Sequence, residues 1–130
     1  MVAACFAKGD RIIDKVILNE RLHGKIVILT IQGSLIAGNL RELSQVFQKY
    51  KTRGVVWFVF DLTNVRVMQS LIIGAVLSLY KNVHAEGGGV LLINPSDQVR
   101  YVLELARVSQ LISEYENVDD ALASILTRQS

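Results

Sequence analysis

The chain has 130 residues, 51% hydrophobic and 20% charged, and its 14 Lys+Arg against 12 Asp+Glu leave a formal net charge of +2. That length and apolar content suit one domain with a sizeable core, and so small a net charge excludes a nucleic-acid or polybasic membrane partner argued from overall charge. One cysteine and two histidines exclude a disulfide framework, a thiolate zinc site and a histidine-rich metal cluster, and no apolar run approaches the roughly 20 residues that cross a bilayer.

Residues 1–11 show no clean period, and 1–14 are expected to form a loosely held arm ahead of one domain over 15–130. The apolar stretch at 2–7 is too short for a signal peptide, and a lone cysteine suits a reducing compartment, so a cytoplasmic setting is expected. Residues 15–21 and 25–32 are both β-rich, and Leu22-His23-Gly24 between them predicts a hairpin turn. His23 is accordingly a turn residue rather than a ligand. Asn39 and Glu42 have the spacing of a helix capping box, and Leu40, Leu43, Phe47 and Tyr50 recur at helical intervals as a core stripe. Lys49, Lys51 and Arg53 cluster where they would complement the negative end of that helix.

Residues 55–60 are a continuous apolar run between Gly54 and Asp61, the pattern of a strand covered on both faces. Asp61 ends the run, as a functional carboxylate or as a loop brace. A second helix is predicted over 71–86, closed by Gly87-Gly88-Gly89. These glycines follow a helix and open a strand, which is the reverse of a phosphate-binding loop. Residues 90–93 form the next strand. Asn94-Pro95-Ser96-Asp97 predicts a third helix with Asn94 as its cap, and Val99, Val102, Leu103 and Ala106 as its buried face. A short edge strand is expected within 111–115. Asn117 and Asp120 repeat the cap spacing ahead of a last helix with Val118, Ala121, Leu122 and Ile125 inward. The order ββαβαβα(β)α gives an α/β fold: a mixed sheet of four or five strands, about four helices and an N-terminal β-hairpin.

No catalytic constellation emerges. There is no Gly-x-Ser-x-Gly elbow, and nothing sets either histidine beside Cys5. Neither a cofactor nor a metal is called for. On the second helix, Ile72, Val76, Leu79, Tyr80 and Val83 make the inward stripe, with Ile73 beside it. Leu71, Gly74, Ala75, Ser78, Lys81, Asn82 and Ala85 lie opposite. That face is built of small or short polar residues. It suits either a docking surface anchored by Leu71 or tight packing against a neighbouring element of the same domain.

The strand at 55–60 continuing into Asp61-Leu62-Thr63-Asn64-Val65, the helix after it, the Gly88-Gly89-Val90-Leu91-Leu92-Ile93-Asn94-Pro95-Ser96 stretch and the Val118-Asp119-Asp120-Ala121-Leu122 helix together resemble the STAS domain over about residues 15–126. This is the module of sulphate transporters and bacterial anti-sigma-factor antagonists. The resemblance implies a single STAS-like domain and a non-enzymatic protein-binding role. The implied partner is an anti-sigma factor, often a serine kinase, and its capture frees a sigma factor. It also implies a partner surface around the start of the second helix, at Arg66, Val67, Met68, Gln69, Ser70, Leu71, Gly74, Ala75 and Ser78, with 66–69 as a loop. Antagonists of the family usually read Asp-Ser-Ser-Gly where this chain reads Gln69-Ser70-Leu71-Ile72, and the second serine of that motif takes the phosphate. Leu71 occupies that position, so the usual phosphoswitch is expected to be absent. Ser70, expected as the helix N-cap, is the remaining candidate for phosphorylation. A second acidic position of the family is Ile36 here. Neither a nucleic-acid partner nor membrane insertion is implied, and a homodimer is compatible. Alternatives of other classes are a cytoplasmic regulatory subunit of a membrane transporter and a small-ligand or nucleotide sensor.

Overall fold

The computed structural model describes residues 10–13 and 16–129. Within them the chain builds six strands and four helices in the order β1 (Asp10–Ile13), β2 (Val16–His23), β3 (Ile26–Leu35), α1 (Leu40–Thr52), β4 (Trp57–Met68), α2 (Ser70–His84), β5 (Gly89–Ile93), α3 (Asp97–Leu105), β6 (Ser113–Tyr115) and α4 (Val118–Gln129). The strands lie side by side in chain order. β1, β2 and β3 pair antiparallel, whereas β3, β4, β5 and β6 pair parallel. The α/β class, the mixed sheet, the four helices and the N-terminal hairpin agree with the expectation from sequence. β1 adds a sixth strand from within the stretch assigned to an arm. Cys5 and the rest of residues 1–9 lie outside the described residues.

The hairpin turn is shorter than expected. Leu22 and His23 stay in β2, with His23 paired to Ile26, and Gly24 makes the turn at φ +61, a conformation that glycine adopts without strain. β4 is the middle of the sheet. Trp57, Phe58, Val59 and Phe60 are all buried, as the apolar run predicted. Phe58 and Phe60 point to one face, where Leu43, Val46, Phe47 and Tyr50 of α1, Ile72, Val76, Leu79 and Val83 of α2, and Val99 and Leu103 of α3 cover them. Phe47 meets Phe58 and Phe60 edge-on at 6.0 and 5.6 Å between ring centroids. Trp57 and Val59 point to the other face, which α4 covers through Ala121 and Ile125.

Several helix starts differ from the sequence reading. Asn39 stands at the N-cap position of α1 but its side chain makes no cap bond. Its Oδ1 accepts from the Ile36 N–H at 2.9 Å instead, and the fully buried side chain closes a single 3-10 turn over Ala37–Asn39. α3 starts two residues late. Asn94 sits in the left-handed region at φ 48, which asparagine tolerates, and its N–H bonds the Tyr115 carbonyl. Ser96 is the true cap, its Oγ accepting from the Val99 N–H at 3.2 Å. Ala106 is exposed just past the end of α3 rather than buried. The cap at α4 is as read: Asn117 Oδ1 accepts from the Asp120 N–H at 2.8 Å. Lys49 does not only face the helix end; its Nζ lies 2.7 Å from Glu20 of β2.

Gly88 follows the turn that ends α2, and a Cβ there would fall 1.8 Å from the Val56 carbonyl oxygen, while one at Gly74 would meet nothing within 4 Å. Gly88→Ala is therefore expected to lower the unfolding free energy by about 1–3 kcal/mol. Gly74→Ala, inside an exposed helix face, should raise it by about 0.5–1 kcal/mol. Urea titrations of the two variants check both signs.

Candidate functional site

β4 runs seven residues past its last pair with β5, at Asp61, and continues along β3 as far as Met68. Residues 66–68 are therefore strand, not loop. The bend into α2 is Gln69 alone. Its N–H donates to the Leu35 carbonyl at 2.9 Å, and its carbonyl accepts from Ile72 and Ile73 at 3.0 and 3.2 Å. Its side chain reaches across to the next connection: Oε1 accepts from the Ala37 N–H at 2.8 Å. Gln69 and Ile36 thus belong to adjoining loops joined by one side-chain bond. Asn39 holds the far side of the 36–39 turn. This pairing is invisible in the sequence, because residues 37 and 69 are linked only by the parallel register of β3 and β4.

Gln69 is the N-cap residue of α2 and Ser70 its first helical residue, so the expectation that Ser70 caps the helix is corrected. The Ser70 hydroxyl is exposed and makes no hydrogen bond among the described residues. Leu71 is 56% exposed, while the adjacent Ile72 and Ile73 are buried. Gly74 and Ser78 are exposed below it and Ala75 is half-buried. A Cβ added at Gly74 would meet nothing within 4 Å, so no neighbouring element of the described fold packs at that position, while Ala75 packs at the edge of the core. Arg66 is exposed and Val67 half-buried. Met68 is 4% exposed and packs in the core, so it has no surface to offer a partner.

Asp61 braces its own strand, its Oδ1 accepting from the Thr63 N–H at 3.1 Å and from the Thr63 hydroxyl at 2.6 Å. His84 stacks on Tyr80, far along α2 from the Ser70 end, and His23 closes β2. The structure brings neither histidine beside a nucleophile among the described residues. On the other side of Arg66 an open cleft of about 1100 Å³ lies between the end of β3–β4 and the start of α3, lined by Gln32, Ser34, Thr63, Arg66, Ser96 and Gln98 among others.

Comparison with known proteins gives the family. Residues 18–121 match the family model of the STAS domain. The chain belongs to the STAS domain family. A Thermotoga neapolitana protein with the provisional name of anti-sigma factor antagonist is 24% identical over 83 residues, which is 64% of this chain and 74% of that protein. A Thermotoga maritima protein of the same provisional description superposes with a TM-score of 0.77 at 21% identity, over 82% of this chain and 92% of the other. The anti-sigma factor antagonist SpoIIAA, in its unphosphorylated form, gives a TM-score of 0.76 at 17% identity over 85% of this chain and 96% of that one. No helix of the described residues is long and apolar enough to cross a membrane.

The Gln69 side chain holds the 36–39 turn against the start of α2. In Gln69→Ala the Ala37 amide should exchange with solvent about tenfold faster or more, since an unpaired exposed N–H is open to water. Gln69→Glu, which keeps an acceptor, should restore slow exchange. Amide exchange by NMR at Ala37 checks this, and an unchanged rate in the alanine variant would remove the link.

Proposed function

We propose that this chain is an anti-sigma factor antagonist: a non-enzymatic cytoplasmic protein that docks on an anti-sigma factor of the serine-kinase kind and so frees a sigma factor. The observation that carries the reading is Leu71, 56% exposed at the first turn of α2 on a face built of small residues. Family membership and the names of the relatives support the partner class. An exposed leucine with Gly74, Ala75 and Ser78 beside it lets another protein approach the helix backbone closely and bury an apolar anchor. Leu71 has no hydroxyl, so the association is not switched by phosphate at that position. Ser70 is the nearest hydroxyl, one residue earlier on the same turn.

Burying Leu71 fully in a partner contributes about 1.5–3 kcal/mol. Leu71→Asp should therefore weaken binding to the purified anti-sigma factor by about tenfold or more. The fold should survive, because the side chain is on the surface and an acid suits the first turn of a helix. Lys81→Ala, lower on the same face, should have a smaller effect. Circular dichroism and a binding titration on the same samples decide: unchanged affinity in a folded Leu71→Asp would end the docking reading.

Phosphate adds about −1.5 to −2 charge at neutral pH and disrupts a fitted contact. Incubation of the wild type with the kinase and ATP should label Ser70 little, because the acceptor position of the family is Leu71 and Ser70 lies one residue, about 100°, around the helix from it. Stoichiometric phosphate at Ser70 would instead restore a phosphoswitch, moved by one residue.

A second reading, ligand sensing, is favoured by the cleft beside Arg66, whose lining is rich in amides and hydroxyls. A saturable thermal shift with a nucleotide or another small polar ligand would support it.

A further inference from the structure

The end of the molecule away from Leu71 gathers what the overall charge conceals. Residues 21–60 carry six cations, Arg21, Lys25, Arg41, Lys49, Lys51 and Arg53, against the single carboxylate of Glu42. The fold sends four of them to the end where the parallel strands begin. The Lys25 carbonyl accepts from the Val56 and Trp57 N–H groups at 3.0 and 3.1 Å, which joins the hairpin turn to the connection between α1 and β4. Lys51 and Arg53 stand at the start of that connection, and Arg21 lies two residues before the end of β2. The Gly89 N–H bonds the Val56 carbonyl, so the turn after α2 adjoins them.

The ion pairs recorded among the described residues use Lys49 and Arg100 and none of these four. Arg21, Lys25 and Arg53 are exposed and Lys51 half-buried. Arg53 also lies over the Tyr50 ring, 5.7 Å from its centroid. Glu86 after α2, Glu104 in the last turn of α3, His23, and Lys81 and His84 in the last turn of α2 are further ionisable groups toward this end; Arg107 adds a cation just past α3. The same end carries exposed leucines that no core requires: Leu22 in β2 at 47%, Leu105 closing α3 at 67% and Leu111 ahead of β6 at 51%. From β2 to β6 they spread over four strand spacings, about 19 Å.

We propose that this end lies on an anionic membrane surface, with the lysines and arginines on lipid phosphates and the leucines reaching the apolar boundary below them. Charge complementarity selects the occupant. Cations next to a negatively charged leaflet attract it, and scattered exposed leucines add shallow apolar contact without any spanning segment. Cations distributed over the end of β2, the hairpin turn and the end of α1 suit a surface of many phosphates better than one small anion. The twelve residues of β4, spanning roughly 36 Å over eleven steps of about 3.3 Å, separate this end from the start of α2. The resting chain would present Leu71 away from the lipid, so the inference is independent of the docking reading.

The test is cosedimentation of the full chain with vesicles of mixed phosphatidylcholine and phosphatidylglycerol, against phosphatidylcholine alone. The chain should sediment with the mixed vesicles at about 0.15 M salt and be released at about 1 M, where screening is nearly complete. The double variant Lys25→Glu/Arg53→Glu, folded by circular dichroism, should bind at least about tenfold more weakly. Leu22→Ser should bind more weakly than wild type. Free glycerol phosphate should not compete. No sedimentation, equal binding to neutral vesicles, or full binding by the charge-reversed variant would overturn the inference. Competition by glycerol phosphate would overturn it in favour of a small-anion site. Retention on polyglutamate beads without vesicle binding would overturn it in favour of an acidic protein.

Discussion

β4 is covered on both faces along its first half, and most of the fold follows from that burial. Residues 57–60 alternate between the face under α1, α2 and α3 and the face under α4, and all four are 5% exposed or less. A shift of register by one residue would exchange Phe58 and Phe60 for Trp57 and Val59 in the tighter layer and break the edge-on contacts with Phe47. The register with β3 is therefore fixed by packing. Because it is fixed, the part of β4 beyond Asp61 arrives beside Leu35 and sets Gln69 against Ala37. The placement of the candidate surface is thus a consequence of the core.

What could be read from the sequence follows the strength of each physical signal. The run at 55–60 and the stripes of α1 and α2 are long, apolar and periodic, and burial is the main force acting on them, so strand, helix and inward face are all recoverable. Short polar residues are harder. Asn39, Asn94 and Ser70 each stand near a helix start, as caps do, yet Asn39 bonds backward to Ile36, Asn94 takes a left-handed turn, and Ser70 is already inside its helix. One side-chain oxygen can face several backbone N–H groups at similar energy, and spacing alone does not choose among them. Residues 66–68 read as part of a loop, but pairing with β3 carries the extended backbone through them to Met68. The small-residue face of α2 was legible as a face, while its exposure became clear only from the open space above Gly74. The link from Gln69 to Ala37 had no signal in the sequence.

The fold also converts a nearly neutral chain into a polar object. Residues 86–120 hold seven carboxylates against two arginines, the reverse of residues 21–60. The region from 62 to 85, with the candidate docking face, carries Arg66 and Lys81 and no carboxylate. Net charge alone misses such segregation, since attraction to a charged partner depends on the local surface rather than the sum. The two ends of the parallel strands then differ in chemistry: one presents a leucine on a small, weakly charged helix face, the other presents cations among scattered leucines.

The central claim is that the start of α2 and the turn it holds form the surface that an anti-sigma factor covers. Hydrogen–deuterium exchange of the chain, alone and with the purified anti-sigma factor, tests it most directly, because a covered surface slows amide exchange where contact is made. New protection is expected at residues 36–38 and 70–78, with β1, β6 and the hairpin turn unchanged. Protection confined to an edge strand or to the hairpin end, with residues 70–78 exchanging as in the free chain, would contradict it.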